Sequence, residues 1–333
     1  MIVDVSRGSA VESTHHVQGV VCSAAGDEEL CAGEPEILTY WRSAMKPFQA
    51  IPLFEDGVVE AYGLEPQDIA VICASHGGTR RHTERVAAML RRLGLNEDHL
   101  HCGPHAPFDL DTAQVLGCAG RLPGRLHNNC SGKHAGMLAL ALHNGWPVDG
   151  YDRLDHPVQR RIQRSLRDWM DHEPKDHHWA LDGCGVPTPR MPLHEMARAY
   201  SRLVRKAQAG HGAAHAVVSA MTTFPELTSS PGRVPLLIME AARGRLLAKE
   251  GAEGVLCVAA LDDDWGLAVK VEDGALRAVG PATVQLMGIA GVLRADERMA
   301  LAELTEAPIR NTLGEEVGRV RIRGSKTAGS LPE

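Results

Sequence analysis

The chain has 333 residues, enough for one large core or two closely packed lobes. Hydrophobic residues make up 44% and charged residues 23%, and the net charge of -7 with a pI near 6.2 argues against a general nucleic-acid binder with a basic face. No apolar run has the length of a membrane span and Met1 to Glu12 lacks the pattern of an export signal, so the expectation is a cytoplasmic protein with no membrane partner and eight cysteines kept as thiols.

In chain order, Val17 to Ser23 and Glu36 to Tyr40 read as strands, with the intervening AAGDEELCAGEP as turn and loop. A helical pattern follows Ser43, interrupted by Pro47 and Pro52. Ile69 to Ser75 reads as a short buried strand running into Gly77-Gly78, and Thr83 to Leu93 as an amphipathic helix. Ser131 caps a helix that ends near Gly145-Trp146-Pro147. Further helices are expected over 156–172, 193–208, 213–222, 235–242 and 281–293. Gly254 to Ala260 and Gly266 to Val271 read as strands joined by the acidic turn Asp262-Asp263-Asp264, with a hairpin-type turn at Asp273-Gly274. The tail after Arg323 reads as mobile. This is an α+β pattern in a single catalytic unit over 1–333. Strands at about 1–40 and 244–280 build an antiparallel sheet, and a mainly helical region at about 80–240 is inserted between them.

Four elements carry possible chemistry. Ser43 and Lys46 stand at i and i+3, which share a face on a helix, so the two side chains can meet. A lysine kept neutral by burial or a nearby cation can act as the base a serine nucleophile needs, and a helix start offers N–H groups to an oxyanion. Taken alone, the same spacing also describes an N-cap serine and a surface lysine. Ser75 is delivered to the Gly77-Gly78 turn, where it can relay a proton or be the nucleophile itself, and His76 beside it can contact substrate. Cys130 and Cys184 lie in glycine-punctuated loops and can share a zinc ion if the fold joins them, with Lys133 one turn from Cys130; two unrelated thiols give the same spacing. Lys249 ends a predicted strand at Lys249-x-Gly251, where its charge would keep Lys46 neutral and attract a carboxylate, while Gly251 leaves room for substrate.

Together, Arg42-Ser43-Ala44-Met45-Lys46-Pro47, Cys73-Ala74-Ser75-His76, Asn129-Cys130-Ser131-Gly132-Lys133-His134, Asp182-Gly183-Cys184, His156-Pro157 and Gly251-Ala252-Glu253-Gly254 resemble the bacterial L-asparaginase II family of the Rhizobium etli type. The resemblance runs in order from about Val3 to about Lys326. It implies a fold similar to serine β-lactamases and glutaminases, hydrolysis of L-asparagine to L-aspartate and ammonia, and a homodimer. It also implies catalytic roles for Ser43, Lys46, Ser75 and Lys249, and a zinc site at Cys130, Lys133 and Cys184. Substrate contacts are expected from Arg42, His76, Asn129, His134, Asp182 and Gly183, with Arg42 and Lys249 on the carboxylate and Asp182 on the ammonium. L-Glutaminase is the nearest alternative, since one methylene gives little discrimination. A penicillin-recognising hydrolase and a zinc-binding scaffold without catalysis are the more distant ones.

Overall fold

The structure, a computed structural model, describes residues 1–23, 28–171, 178–263 and 265–324. His172, Asp264 of the acidic turn and the tail beyond Gly324 lie outside the described residues. The strands are β1 (Ile2–Arg7), β2 (Ala10–Ser23), β3 (Glu28–Ala32), β4 (Leu38–Tyr40), β5 (Trp179–Leu181), β6 (Pro187–Pro192), β7 (Leu246–Gly251), β8 (Val255–Ala260), β9 (Trp265–Val271), β10 (Glu306–Arg310) and β11 (Glu316–Ile322). One antiparallel sheet has the order β10-β11-β1-β2-β9-β8-β7, with β3 beside the C-terminal half of β2; β4, β6 and β5 form a small second sheet. Strand β2 is long enough to serve twice, pairing β1 through residues 10–16 and β9 through Val17–Ser23. The expected α+β arrangement, a sheet from both termini around a helical insert, is the one observed, and β10 and β11 extend it further at the C-terminal end than expected.

Both faces of the sheet are covered, and β8 records this in its sequence. VLCVAA is apolar throughout, as a strand buried on both sides must be. Val255, Cys257 and Ala259 join the core beneath the helical region, whereas Leu256, Val258 and Ala260 join a second core with Val3, Ile238, Leu286 and Val320. The helix Leu193–Gln208 has its expected bounds. No helix among the described residues is long and apolar enough to cross a membrane.

Three expectations need correction. Residues 69–75 are not a strand: Pro66–Ile72 is a helix, and only Cys73 to Gly78 is irregular. A short apolar run cannot separate the two by period, but Glu65-Pro66-x-Asp68 can. Proline occupies the first turn, and the Asp68 carboxylate accepts from the Glu65 N–H at 3.0 Å. The segment read as loop between the first strands contains β3, which the free edge of β2 recruits despite its acidic start. In addition, Asp273-Gly274 leads from β9 into a helical turn at Leu276–Ala278 rather than joining two strands.

Candidate active site

Ser43 lies in a tight helical turn, Arg42–Met45, that runs directly into the helix Lys46–Glu55. Pro47 falls in the first turn of that helix, where its missing N–H costs nothing. Arg42 has φ +54°, a left-handed conformation that is strained for a residue with a side chain. It is held from two sides: the Arg42 N–H donates to Thr188 Oγ1 at 2.9 Å and Nε to Asp182 Oδ1 at 2.8 Å. Strand β7 packs against this turn through Gly251, where a Cβ would stand 2.9 Å from the Trp41 carbonyl oxygen. Gly251 thus admits the turn's backbone as well as lining the cavity. The Ser43 hydroxyl and N–H donate to no described residue.

Ser75 is the meeting point of the two lysines. Lys249 Nζ is 2.7 Å from Ser75 Oγ and Lys46 Nζ is 3.3 Å from it. Lys46 also donates to the carbonyls of Ala74 and Asn129, and Lys249 to that of Glu250. Both lysines are buried. Burial first, and then the charge of Lys46, pulls Lys249 down to about 7. The charge of Lys46 thus acts on Lys249.

The helix Ser131–His143 brings Cys130 and Lys133 to one end of the site, and the turn at 182–186 brings Cys184. The helix can approach because Gly132 has no side chain; a Cβ there would be 2.2 Å from the Val71 carbonyl oxygen. Lys133 Nζ is 3.0 Å from Cys184 Sγ. The hydrogen bond from Cys130, aided by the Lys133 charge, holds the Cys184 thiol well below its usual range against burial. The same bond and burial push Cys130 up to about 12. Burial opposes the charge on Lys133, but Cys184 and Cys130 outweigh it and raise Lys133 above its ordinary value. The three groups form one coupled set, with Cys130 Sγ also donating to Asn129 Oδ1 at 3.2 Å. No cluster of three or more His, Cys, Asp or Glu donors occurs among the described residues. A zinc ion placed here would have two sulfurs and, only if Lys133 gave up its proton, one amine as donors.

A cavity of about 400 Å³ opens over these groups. Arg42, Ser43, Ser75, Asn129, Cys130, Asp182, Gly183 and Cys184 line it, so most of the residues expected from sequence converge, with both lysines behind Ser75. His76 and His134 do not line it. The His76 ring stacks on His82 with centroids 4.9 Å apart, accepts from the Gly78 N–H at Nδ1, and lies 2.9 Å from Ser131 Oγ at Nε2. Burial holds it well below its usual value, so it is neutral and braces the loop. His134 is buried against Tyr151, 2.6 Å from its hydroxyl, and burial lowers it to about 3. Among the lining residues that the sequence reading missed are His105, Phe108, Leu276 and an ion pair, Arg233 and Glu250, whose Nε and Oε1 are 2.6 Å apart. Glu250 was legible only as the unspecified residue of Lys-x-Gly, and nothing around Arg233 singles it out.

The sequence model of a family described as L-asparaginase II matches residues 3–322. The chain belongs to the L-asparaginase II family. Membership makes it a hydrolase of amide bonds acting on a small molecule. The comparison with curated proteins finds no match. Among solved structures, the crystal structure of a β-lactamase from Mycobacterium bovis is similar at 14% identity and a TM-score of 0.44, over 83% of this chain and 95% of that one.

Proposed function

We propose that this protein hydrolyses L-asparagine to L-aspartate and ammonia by serine–lysine catalysis. The observation that carries the reading is the convergence of Ser43 and Ser75 on one cavity, with Lys249 and Lys46 both on Ser75 Oγ. Ser43, whose hydroxyl is unengaged and exposed to the cavity, attacks the side-chain carboxamide carbon. Its proton passes through Ser75 to neutral Lys249 and then to the departing nitrogen, which leaves as ammonia. The unbonded Ser43 N–H, at the start of a helical turn, suits the oxyanion, a donor worth about 3 kcal/mol. Water then attacks the acyl ester, and the proton it loses returns to the serine. The cavity wall, which carries two arginine–carboxylate pairs, receives the amino-acid end of the substrate.

A second reading has its own support. The 2.7 Å bond from Lys249 makes Ser75 a nucleophile with its base already in place. Ser43→Ala and Ser75→Ala separate the two, assayed for ammonia release and mapped for the serine labelled by an electrophilic asparagine analogue. Loss of turnover and of label in Ser43→Ala supports the first reading. Substantial turnover in that variant, with none in Ser75→Ala, promotes Ser75. L-Glutamine assayed in parallel tests the glutaminase alternative.

Zinc belongs to the same proposal, held by Cys130, Lys133 and Cys184. Bound there, it would supply a Lewis acid and a fixed charge at the cavity wall. Stoichiometric zinc in the purified protein, with a lowered melting temperature on chelation and in Cys184→Ala, is the expected result. A homodimer, measured by light scattering, and a cytoplasmic location are likewise expected from the family resemblance and the sequence.

A further inference from the structure

Resting on the asparaginase reading, we infer that Arg233 and Glu250 form the subsite that recognises the α-carboxylate and α-ammonium of the substrate. The cavity wall holds two ion pairs of the same design, Arg42 with Asp182 and Arg233 with Glu250. Each arginine spends only Nε on its carboxylate, and its two Nη groups donate to no described residue. Each carboxylate keeps one oxygen with no side-chain partner among the described residues. Either pair therefore offers what a zwitterion needs, a guanidinium edge beside a carboxylate.

The pairs differ in what else they do. Arg42 and Asp182 already hold a strained turn, and Asp182 also accepts the Gly183 N–H at 2.7 Å in the loop that carries Cys184. The second pair holds no strained turn of this kind among the described residues. Arg233 enters the wall from the turn before the helix Val234–Ala241, with its guanidinium 4.7 Å from the Phe108 ring centroid, a contact that fixes its plane. Glu250 is largely buried at the end of edge strand β7. Its side chain leaves the strand on the face opposite Lys249, while its carbonyl accepts from Lys249 Nζ at 2.8 Å. One nitrogen thus bridges the Glu250 backbone and Ser75 Oγ. In asparagine the α-carbon is two bonds from the carboxamide carbon, so the groups that read it must line the cavity of the reacting serine, and Glu250 and Arg233 line the same cavity as Ser43 and Ser75. A buried ion pair is also a poor device for stability alone, because packed apolar residues do as well or better.

The test uses three amides with wild type, Glu250→Gln, Arg233→Gln, Arg233→Lys and Asp182→Asn. L-Asparagine has both α-groups, succinamate lacks the ammonium, and 3-aminopropanamide lacks the carboxylate. Glu250→Gln should lower kcat/KM for asparagine and 3-aminopropanamide on the order of 10- to 100-fold and leave succinamate nearly unchanged. Arg233→Gln should do the same for asparagine and succinamate and spare 3-aminopropanamide, with partial recovery in Arg233→Lys. Equal losses on all three substrates, or the selective pattern appearing in Asp182→Asn instead, overturns the inference. A wild type that hydrolyses none of the three overturns the asparaginase reading on which it rests, a different result from active wild type with unselective variants. Thermal melts of each variant establish that the losses are read from folded protein.

Discussion

At the scale of single residues, the charge state of Lys249 sets how the site responds to pH. Burial and Lys46 lower it to about 7, so its neutral fraction grows as pH rises through that value. If Lys249 is the proton acceptor, kcat/KM for asparagine should climb with pH through about 7. Lys249→Met should lose about 100-fold or more in activity together with that limb, as read from initial rates across the pH range. A flat profile would remove Lys249 from the proton path. His76 illustrates the opposite case. Its position next to Ser75 suggested substrate contact, yet both ring nitrogens are engaged within the protein.

Elements position these residues through close contacts that tolerate little change. Gly132 lets the helix Ser131–His143 lie against the Val71 carbonyl. Gly132→Ala must push the two helices apart, so we expect a loss of about 1–3 kcal/mol in a denaturant titration and weaker zinc uptake, because Cys130 and Lys133 flank that contact. The helix Pro66–Ile72 is anchored at its start by Asp68, fully buried beneath Arg85 at 2.9 Å and a further bond from Arg92. Both arginines reach solvent, so Asp68→Asn strands no buried cation. It should cost about 1–3 kcal/mol, seen as a lower melting temperature, with catalytic constants changed far less than stability.

Over the whole molecule, the sheet closes through its ends. Strand β11 covers β1, and Arg323 bonds both oxygens of Asp4 at 2.8 and 2.7 Å. Removing residues 306–324 would strip Val320 and Ile322 from the second core and leave β1 as an open edge. Each lost side chain is worth about 1.5–3 kcal/mol. The truncated chain should unfold at lower urea concentration and aggregate on heating. Lys249 also imprints on global stability. Its folded value, about 7, lies below the ordinary 10.5, so between those limits the unfolded chain binds more protons and stability gains from this group as pH rises. Below about 7 the cost of burying its charge is fully present. In Lys249→Met, the rise between pH 7 and 10.5 should flatten in denaturant titrations; an unchanged slope would mean that Lys249 is not shifted.

The sequence by itself determined the parts that rest on local pattern. The continuous apolar run of β8 and the period of the helix Leu193–Gln208 were legible, as were the motifs that together mark the family, whereas Lys46, expected to meet Ser43, bonds Ser75 instead. Tertiary structure decided what depends on residues far apart in the chain. The helix Pro66–Ile72 has a local start signal in Glu65-Pro66-x-Asp68, but the partners that anchor Asp68, Arg85 and Arg92, come from the next helix. Ser75 gained two lysines, 29 residues before it and 174 after it, that no local pattern could pair with it. Arg233 and Glu250 entered the cavity wall for the same reason. An ion pair 17 residues apart leaves no mark on composition or period, and only the packing of an edge strand against a distant turn brings its members to one site.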